Sequence, residues 1–169
     1  QLWEMNPDGS NPRQVTDIPD GINGYVYAPD MSKIVYLKDV QLEPTVQDLY
    51  PDLPKAKARI VDDQFYRHWN DWVDAYTHLF IADYVPAQPI TTGKDIMEGE
   101  RWESPVRPWG GVEQLAWTKD GKKLIYTCRK KIGIDYAEST NTDLYAYNTE
   151  NGETVNLTEG MMGYDKNPV

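Results

Sequence analysis

A strand–turn–strand pattern at residues 111–129 constrains the fold more than any other stretch of this chain. Two runs rich in β-branched, aromatic and other apolar residues, 112–118 and 123–128, flank the polar turn Lys119-Asp120-Gly121-Lys122. Gly121 can adopt the positive φ that a tight hairpin turn requires, because it has no Cβ atom. Side chains of a strand alternate between two faces, and neither face of the second run is strongly polar. The pattern therefore predicts a β-hairpin that packs against neighbours on both faces.

The same kind of pattern recurs along the chain. Residues 27–36 match residues 117–126 position for position, and a second hairpin type at 2–16 matches residues 144–158. A third copy of the second type, at 79–91, has a shorter turn. The two hairpin types alternate, and a unit of two alternating hairpins is the four-stranded blade of a β-propeller. The repeat therefore predicts an all-β fold, a partial β-propeller of two to three blades.

These hairpins predict two sets of strands. The inner strands are expected at about 24–28, 33–38, 112–118 and 123–129, and the outer strands at about 2–6, 12–16, 79–83, 89–92, 143–148 and 153–158. Two inner and three outer hairpins are too few to close a ring, since a propeller needs about four or more blades. We therefore interpret residues 1–169 as a fragment of a larger protein.

An open ring exposes unpaired strand edges and apolar faces, which favour association. We expect the isolated fragment to pair with another copy or with the rest of its own chain. The apolar side chains expected to lose part of their cover are Leu2, Trp3, Tyr145, Tyr147 and Leu157.

The repeat is interrupted by an insertion at about 39–78. Apolar and aromatic residues at spacings of three and four, among them Phe65, predict one short amphipathic helix at about 57–72, the single helix expected in the chain. Residues 66–72 (YRHWNDW) form the densest aromatic and charged cluster. Two interpretations are open: the tryptophans pack the insertion onto the blades, or the cluster faces a cavity, a substrate or a partner domain. The candidate substrate- or partner-facing residues are Arg67, His68, Trp69 and Trp72.

Composition excludes several functions. The net charge of −10 repels phosphate backbones and argues against nucleic-acid binding. No apolar run approaches the roughly 20 residues that span a membrane. A single cysteine, Cys128, excludes an internal disulfide, and no signal peptide is visible.

No catalytic constellation is visible either. None of the four serines, Ser10, Ser32, Ser104 and Ser139, lies in the Gly-x-Ser-x-Gly sequence that exposes a nucleophile. Two histidines and one cysteine are too few for a zinc site, and a calcium-binding loop is absent. We predict no catalytic residue, metal or cofactor in this chain.

Several motifs resemble a known family. Residues 117–123 (WTKDGKK) and 27–30 (YAPD) look like the propeller repeat of TolB-like proteins and of the prolyl oligopeptidase family. In the insertion, residues 58–60 (ARI), 66–72 (YRHWNDW) and 78–80 (HLF) resemble bacterial dipeptidyl and acylaminoacyl peptidases of that family. The resemblance covers essentially the whole chain.

The resemblance implies an N-terminal propeller that is followed by an α/β-hydrolase domain with a Ser, Asp and His triad, none of which lies in this chain. The propeller would shield the active site and select peptide substrates, in a periplasmic or secreted enzyme or, alternatively, a cytoplasmic one. The paired glutamates by which some dipeptidyl peptidases hold the substrate amino terminus have no match here, because no Glu-Glu pair occurs. Expected partners are peptides, the hydrolase domain and further copies of the chain.

Two alternatives come from other functional classes. A non-enzymatic TolB-like propeller would bind a protein partner. A propeller glycosidase would need two carboxylates a few ångströms apart in a central funnel. A downstream Gly-x-Ser-x-Gly sequence would decide for the peptidase.

Overall fold

The computed structural model describes residues 1–64 and 66–169 of the chain. These residues form two four-stranded and two two-stranded sheets, and every strand pairing within them is antiparallel. The strands are β1 (Trp3–Glu4), β2 (Arg13–Gln14), β3 (Gly24–Tyr27), β4 (Lys33–Val40), β5 (Arg67–His68), β6 (Asp71–Trp72), β7 (Tyr76–Asp83), β8 (Lys94–Asp95), β9 (Leu115–Trp117), β10 (Lys123–Cys128), β11 (Asp143–Asn148) and β12 (Thr154–Asn156). The helices are α1 (Val46–Leu49), α2 (Gly133–Glu138) and a 3-10 helix, Val112–Gln114. The all-β class is thus confirmed.

The two four-stranded sheets share one design. The first has the strand order β3-β4-β7-β8, and the second has the order β9-β10-β11-β12, so that each strand pairs with the next strand of its sheet. Tyr27 pairs with Ile34 in the first sheet, and Trp117 pairs with Leu124 in the second. The sequence repeat therefore corresponds to two sheets built in the same register. Among the described residues, no sheet closes on itself.

The inner hairpin turns are also equivalent. The amide of Ala28 donates to the carbonyl of Lys33 at 2.9 Å, and the amide of Thr118 donates to that of Lys123 at 2.9 Å. The fourth turn position is left-handed in both, with φ of 58° at Met31 and 67° at Gly121. Glycine adopts this conformation without the strain that a Cβ atom causes. The residue at this position therefore suits the left-handed conformation better in the second turn, which has Gly121, than in the first, which has Met31.

Strand β4 lies between two hydrophobic clusters. Val35 and Leu37 contribute to a cluster shared with the second sheet, while Ile34 and Tyr36 contribute to a cluster shared with the first hairpin. This alternation follows from the two-residue period of a strand. The first four-stranded sheet is therefore covered on both faces, by the β1–β2 hairpin and by the second sheet.

The apolar side chains predicted to lose cover behave in two ways. Trp3 and Leu157 are 55% and 51% exposed. Tyr145 and Tyr147 are buried, contrary to the prediction, because both point into the cluster between the two four-stranded sheets.

The predicted helix at about 57–72 is wrong for the described residues. The segment contains no helix there and ends in the small hairpin β5–β6, in which Arg67 pairs with Trp72. Trp69 has a φ of 58°, a left-handed turn conformation that a helix cannot contain. Phe65, which contributed to the helical spacing, lies outside the described residues. The expectation of a single helix is wrong as well, since α1 and α2 lie elsewhere.

One predicted outer strand is also wrong. Residues 89–92 are not a strand, and β7 pairs instead with β8. Ile90 forms an isolated parallel bridge with Thr16, in which its amide donates to the carbonyl of Val15 at 2.8 Å. The residues preceding Leu115 form the 3-10 helix rather than the start of β9. No described helix has the length and apolar character needed to cross a membrane.

Candidate functional site at the connection end

The two ends of the four-stranded sheets differ. At one end lie the tight turns between β3 and β4, between β9 and β10, and between β11 and β12. At the other lie three long connections, which we call the insertion loop (41–75), the proline loop (96–111) and the α2 loop (129–142). We refer to this second end as the connection end, and all four residues predicted as candidates lie on it.

Ion pairs join the insertion loop to the proline loop. The Nε atom of Arg101 lies 2.7 Å from Oε1 of Glu43, and its guanidinium also lies 3.2 Å from Oδ2 of Asp63. The α2 loop approaches the same aspartate, since a Cβ atom at Gly133 would meet Asp63 Oδ1 at 2.5 Å. The three loops therefore pack into one continuous surface.

A buried carboxyl group lies at the centre of this surface. Glu103 is only 5% exposed, and its Oε2 lies 3.0 Å from Nε of Arg107. The hydroxyl of Tyr136 on α2 donates to Oε1 of Glu103 at 3.3 Å. Burial raises the pKa of Glu103, and the positive charge of Arg107 only partly opposes that effect.

Arg107 connects this carboxyl group to the ends of β4 and β7. Its guanidinium lies 3.6 Å from Oδ1 of Asp39 and donates to Oγ1 of Thr77 at 3.4 Å. Thr77 in turn donates to Asp39 at 2.7 Å. Arg107 is thereby held against the sheet by two carboxylates, one of them buried, while part of its side chain remains exposed.

His68 is half-buried on β5. Its ring lies edge-on to that of Tyr136, with centroids 6.2 Å apart. Burial lowers the pKa of His68, and the nearby positive charges of Arg129 and Arg107 lower it further. His68 therefore belongs to the same cluster as the buried carboxyl group.

Arg67 and Trp72 contact each other. The guanidinium of Arg67 lies 5.1 Å from the ring centroid of Trp72, and that of Arg59 lies 4.5 Å from it. Arg59 is held in turn by two hydrogen bonds to Asp74, at 2.8 and 2.7 Å. These cation–π contacts stabilise the β5–β6 hairpin itself.

Trp69 has different surroundings. It is 70% exposed and packs edge-on against Trp109 of the proline loop, which is 76% exposed. The ring centroids lie 5.1 Å apart at an interplanar angle of 89°. Sequence reasoning did not select Trp109, because nothing in its own surroundings indicates a partner 40 residues earlier.

An open cleft of about 830 Å³ lies between the proline loop and the start of β3. Its charged lining residues are the carboxylates Asp39, Asp71 and Glu113 and the guanidinium of Arg107. The cleft is therefore acidic. Its volume falls within the range of about 300–1,000 Å³ that is typical of small-molecule and cofactor sites.

Sequence analysis missed Glu103, Arg107, Asp39 and Tyr136. Glu103 and Arg107 are four residues apart in a proline-rich loop, a spacing that is common by chance among charged residues. Only the fold brings these four residues together.

Cysteine and metal-ligating groups are the remaining reactive features to place. The one thiol, that of Cys128, is fully buried, donates to the carbonyl of Glu103 at 3.4 Å and has a raised pKa because of its burial. Within the described part of the chain, no group of three or more histidine, cysteine or acidic residues is arranged to hold a metal ion.

The fold and the site together define an all-β protein with stacked antiparallel sheets and a polar, aromatic connection end. No protein-family model matches the chain. Over 168 residues, 99% of its length, it is 47% identical to a protein named dipeptidyl-peptidase 5 from Porphyromonas endodontalis. Over 148 residues it is 48% identical to dipeptidyl-peptidase 5 from Porphyromonas gingivalis.

The chain spans 24% and 22% of the lengths of these two relatives. It is therefore similar, from end to end, to one segment of a dipeptidyl peptidase.

Proposed function

We propose that this chain is the non-catalytic propeller portion of a serine exopeptidase of the prolyl oligopeptidase family, which releases dipeptides or acylated residues from peptide amino termini. The observation that carries this proposal is the 47% identity to a dipeptidyl peptidase over 99% of the chain. The nucleophile, base and oxyanion hole would lie in a downstream α/β-hydrolase domain.

The propeller part of the proposal draws support from the sheets. Two four-stranded antiparallel sheets of the same register stack face to face, and the β1–β2 hairpin covers the far side of the first sheet. In a propeller, each blade is a four-stranded sheet that packs between two neighbours. Further sheets in the complete protein would continue this stacking and close the ring.

The connection end is the surface we assign to the substrate side. It carries the acidic cleft and the candidate residues Arg67, His68, Trp69 and Trp72. We propose that this end shields the active site of the hydrolase domain and limits which peptides enter it, in a periplasmic or secreted enzyme. Arg67 and Trp72 act there chiefly by holding the β5–β6 hairpin in shape.

The test is to compare the full-length protein with residues 1–169 alone on chromogenic dipeptidyl and acyl-amino-acid reporters. The full-length protein should release the chromophore, and a serine-directed inhibitor should abolish the release. The shorter chain should be inactive, since no triad can be assembled from it. Inhibitor-sensitive turnover by residues 1–169, or none by the full-length protein on either class of reporter, would refute the proposal.

A further inference from the structure

We propose that the exposed indole pair Trp69–Trp109 is a contact site for the remainder of the same polypeptide, the part that lies outside this segment. This inference rests on the proposed function, in which the remainder includes the catalytic residues. It assigns to two particular side chains the contact between that part and the connection end.

The pair has the character of an interface centre. The two indoles are 70% and 76% exposed, yet they already pack edge-on against each other at 5.1 Å. They come from different loops. Trp69 lies in the turn between β5 and β6, and these two strands pair with Arg67 opposite Trp72. Tryptophan is enriched among the side chains that dominate binding energy, and a side chain that is already held in position loses less entropy on binding.

The length of the relatives indicates what covers the pair. About three quarters of each relative lies outside the segment to which this chain is similar. Additional sheets would stack on the outer sheet faces, but the pair lies on the connection end, where loops rather than a sheet face are exposed. A part of the polypeptide other than a further stacked sheet would therefore cover it.

The charges beside the pair specify the partner further. The acidic cleft is lined by Asp71, two residues after Trp69, and by Pro108 and Gly110, which flank Trp109. An apolar centre with a charged rim is the usual anatomy of a protein interface. The complementary surface should present apolar side chains to the indoles and basic side chains to the cleft.

Hydroxyl-radical footprinting of the full-length protein, read by mass spectrometry, tests the inference without any variant. Trp69 and Trp109 should be oxidised at least about fivefold more slowly in the folded protein than after unfolding in urea, as expected for indoles at the centre of an interface. Tyr50, a 50% exposed aromatic residue of the same insertion loop, serves as the internal reference for an exposed side chain. Oxidation of both indoles within about twofold of the unfolded rate, as for exposed side chains, would overturn the inference.

Two other occupants give different results, and each would overturn the inference. Protection that arises only when a dipeptidyl substrate or product is added would assign the pair to the substrate. Protection that disappears on dilution would assign it to a second copy. Peptidase activity of the same sample is measured separately, so that loss of the proposed function and loss of this contact are distinguished.

A double variant, Trp69→Ala with Trp109→Ala, provides a second readout. It should lower the temperature at which the full-length protein loses activity, whereas Tyr50→Ala should leave that temperature unchanged. Equal effects of the two changes would count against the contact.

Discussion

At the scale of single residues, the buried carboxyl group of Glu103 links the stability of the fold to pH. Its pKa in the fold is raised, mainly by burial. The stability that it contributes is therefore fully present below its unfolded pKa of about 4.3 and is lost as the pH rises through the higher folded value. Glu103 should therefore contribute less to the free energy of unfolding as the pH rises from acidic toward neutral.

We predict that Glu103→Gln makes unfolding free energy less dependent on pH. The glutamine cannot ionise. The free energy of unfolding of the variant should therefore rise relative to that of the wild type as the pH is raised from about 4 to about 7. Denaturant unfolding at several pH values measures the difference.

Asp120→Asn is the matched control of opposite sign. Hydrogen bonds from Thr118 and from the amide of Lys122 lower the pKa of Asp120. The stability that Asp120 contributes is present above its unfolded pKa and is lost as the pH falls through the lower folded pKa. If both variants shifted the pH dependence in the same direction, the assignment to Glu103 would fail.

A second residue, His78, is fully buried between two oxygen atoms. Its Nδ1 lies 2.8 Å from the carboxylate of Asp95, and its Nε2 lies 3.0 Å from the carbonyl of Glu100. The ring thereby joins β7 to β8 and to the start of the proline loop. This contact has a structural role in the middle of the first four-stranded sheet.

We predict that His78→Leu destabilises the protein by about 2–4 kcal/mol, because the variant removes the partner of Asp95 Oδ2 and of the Glu100 carbonyl in a buried place. The other carboxylate oxygen, Oδ1, keeps its hydrogen bond from the amide of Met97. His78→Gln retains a hydrogen-bond donor and should lower the free energy of unfolding by less than His78→Leu does. Chemical denaturation measures both losses. A leucine variant as stable as the wild type would show that these hydrogen bonds contribute nothing net.

At the scale of elements, the two inner turns carry different residues in the same backbone conformation. Met31 and Gly121 both have a φ near 60°, and the methionine side chain is 47% exposed. A left-handed conformation costs an ordinary residue about 1–2 kcal/mol, and exposure means that little packing would be lost with the side chain. The first turn therefore stores strain that the second does not.

We predict that Met31→Gly stabilises the protein by up to about 1 kcal/mol and that Gly121→Ala destabilises it by about 1–2 kcal/mol. At Gly121, a Cβ atom would also approach Asp30 Oδ1 at 3.3 Å. The thermal midpoint should rise for the first variant and fall for the second. Changes of the same sign would refute the equivalence of the two turns.

At the scale of the whole molecule, the outer face of the second four-stranded sheet is only partly covered: Ala146 is buried there, Ala116 and Ile125 are half-buried, and Val155 is exposed. Ala116, Ile125, Ala146 and Val155 lie in one row across its four strands, on the side opposite the buried tyrosines. Val155 is 49% exposed, and Leu157 beyond it is 51% exposed. An apolar sheet face of this kind favours association.

We predict that residues 1–169 in isolation associate with a second copy, or with the remainder of their own polypeptide when both are present. Light scattering over a range of dilutions measures the mass. Val155→Lys combined with Leu157→Lys should shift the protein toward monomer, whereas Met162→Lys, at a 92% exposed position in the C-terminal tail, should not. A wild-type chain that stays monomeric and unfolds cooperatively would contradict the prediction.

The sequence by itself determined the hairpins and their order. Polar turns such as Lys119-Asp120-Gly121-Lys122 and the two-residue alternation of strands are local properties, set by backbone sterics and by which face of a strand is buried. The repeat of these local patterns was enough to predict the all-β class and the register shared by both inner hairpins. The density of aromatic and charged residues in the insertion also located the cluster at 66–72.

Only the tertiary structure decided what surrounds that cluster. The three- and four-residue spacing of its aromatic side chains suited a helix, but the described part forms a hairpin in which Trp72 packs beneath two guanidinium groups. Trp109, Glu103 and Tyr136 reach the connection end from loops more than 30 residues away in sequence. Contacts of this kind depend on how the sheets stack, and no local pattern encodes them, because their energy comes from burial and charge pairing that exist only once the chain has folded.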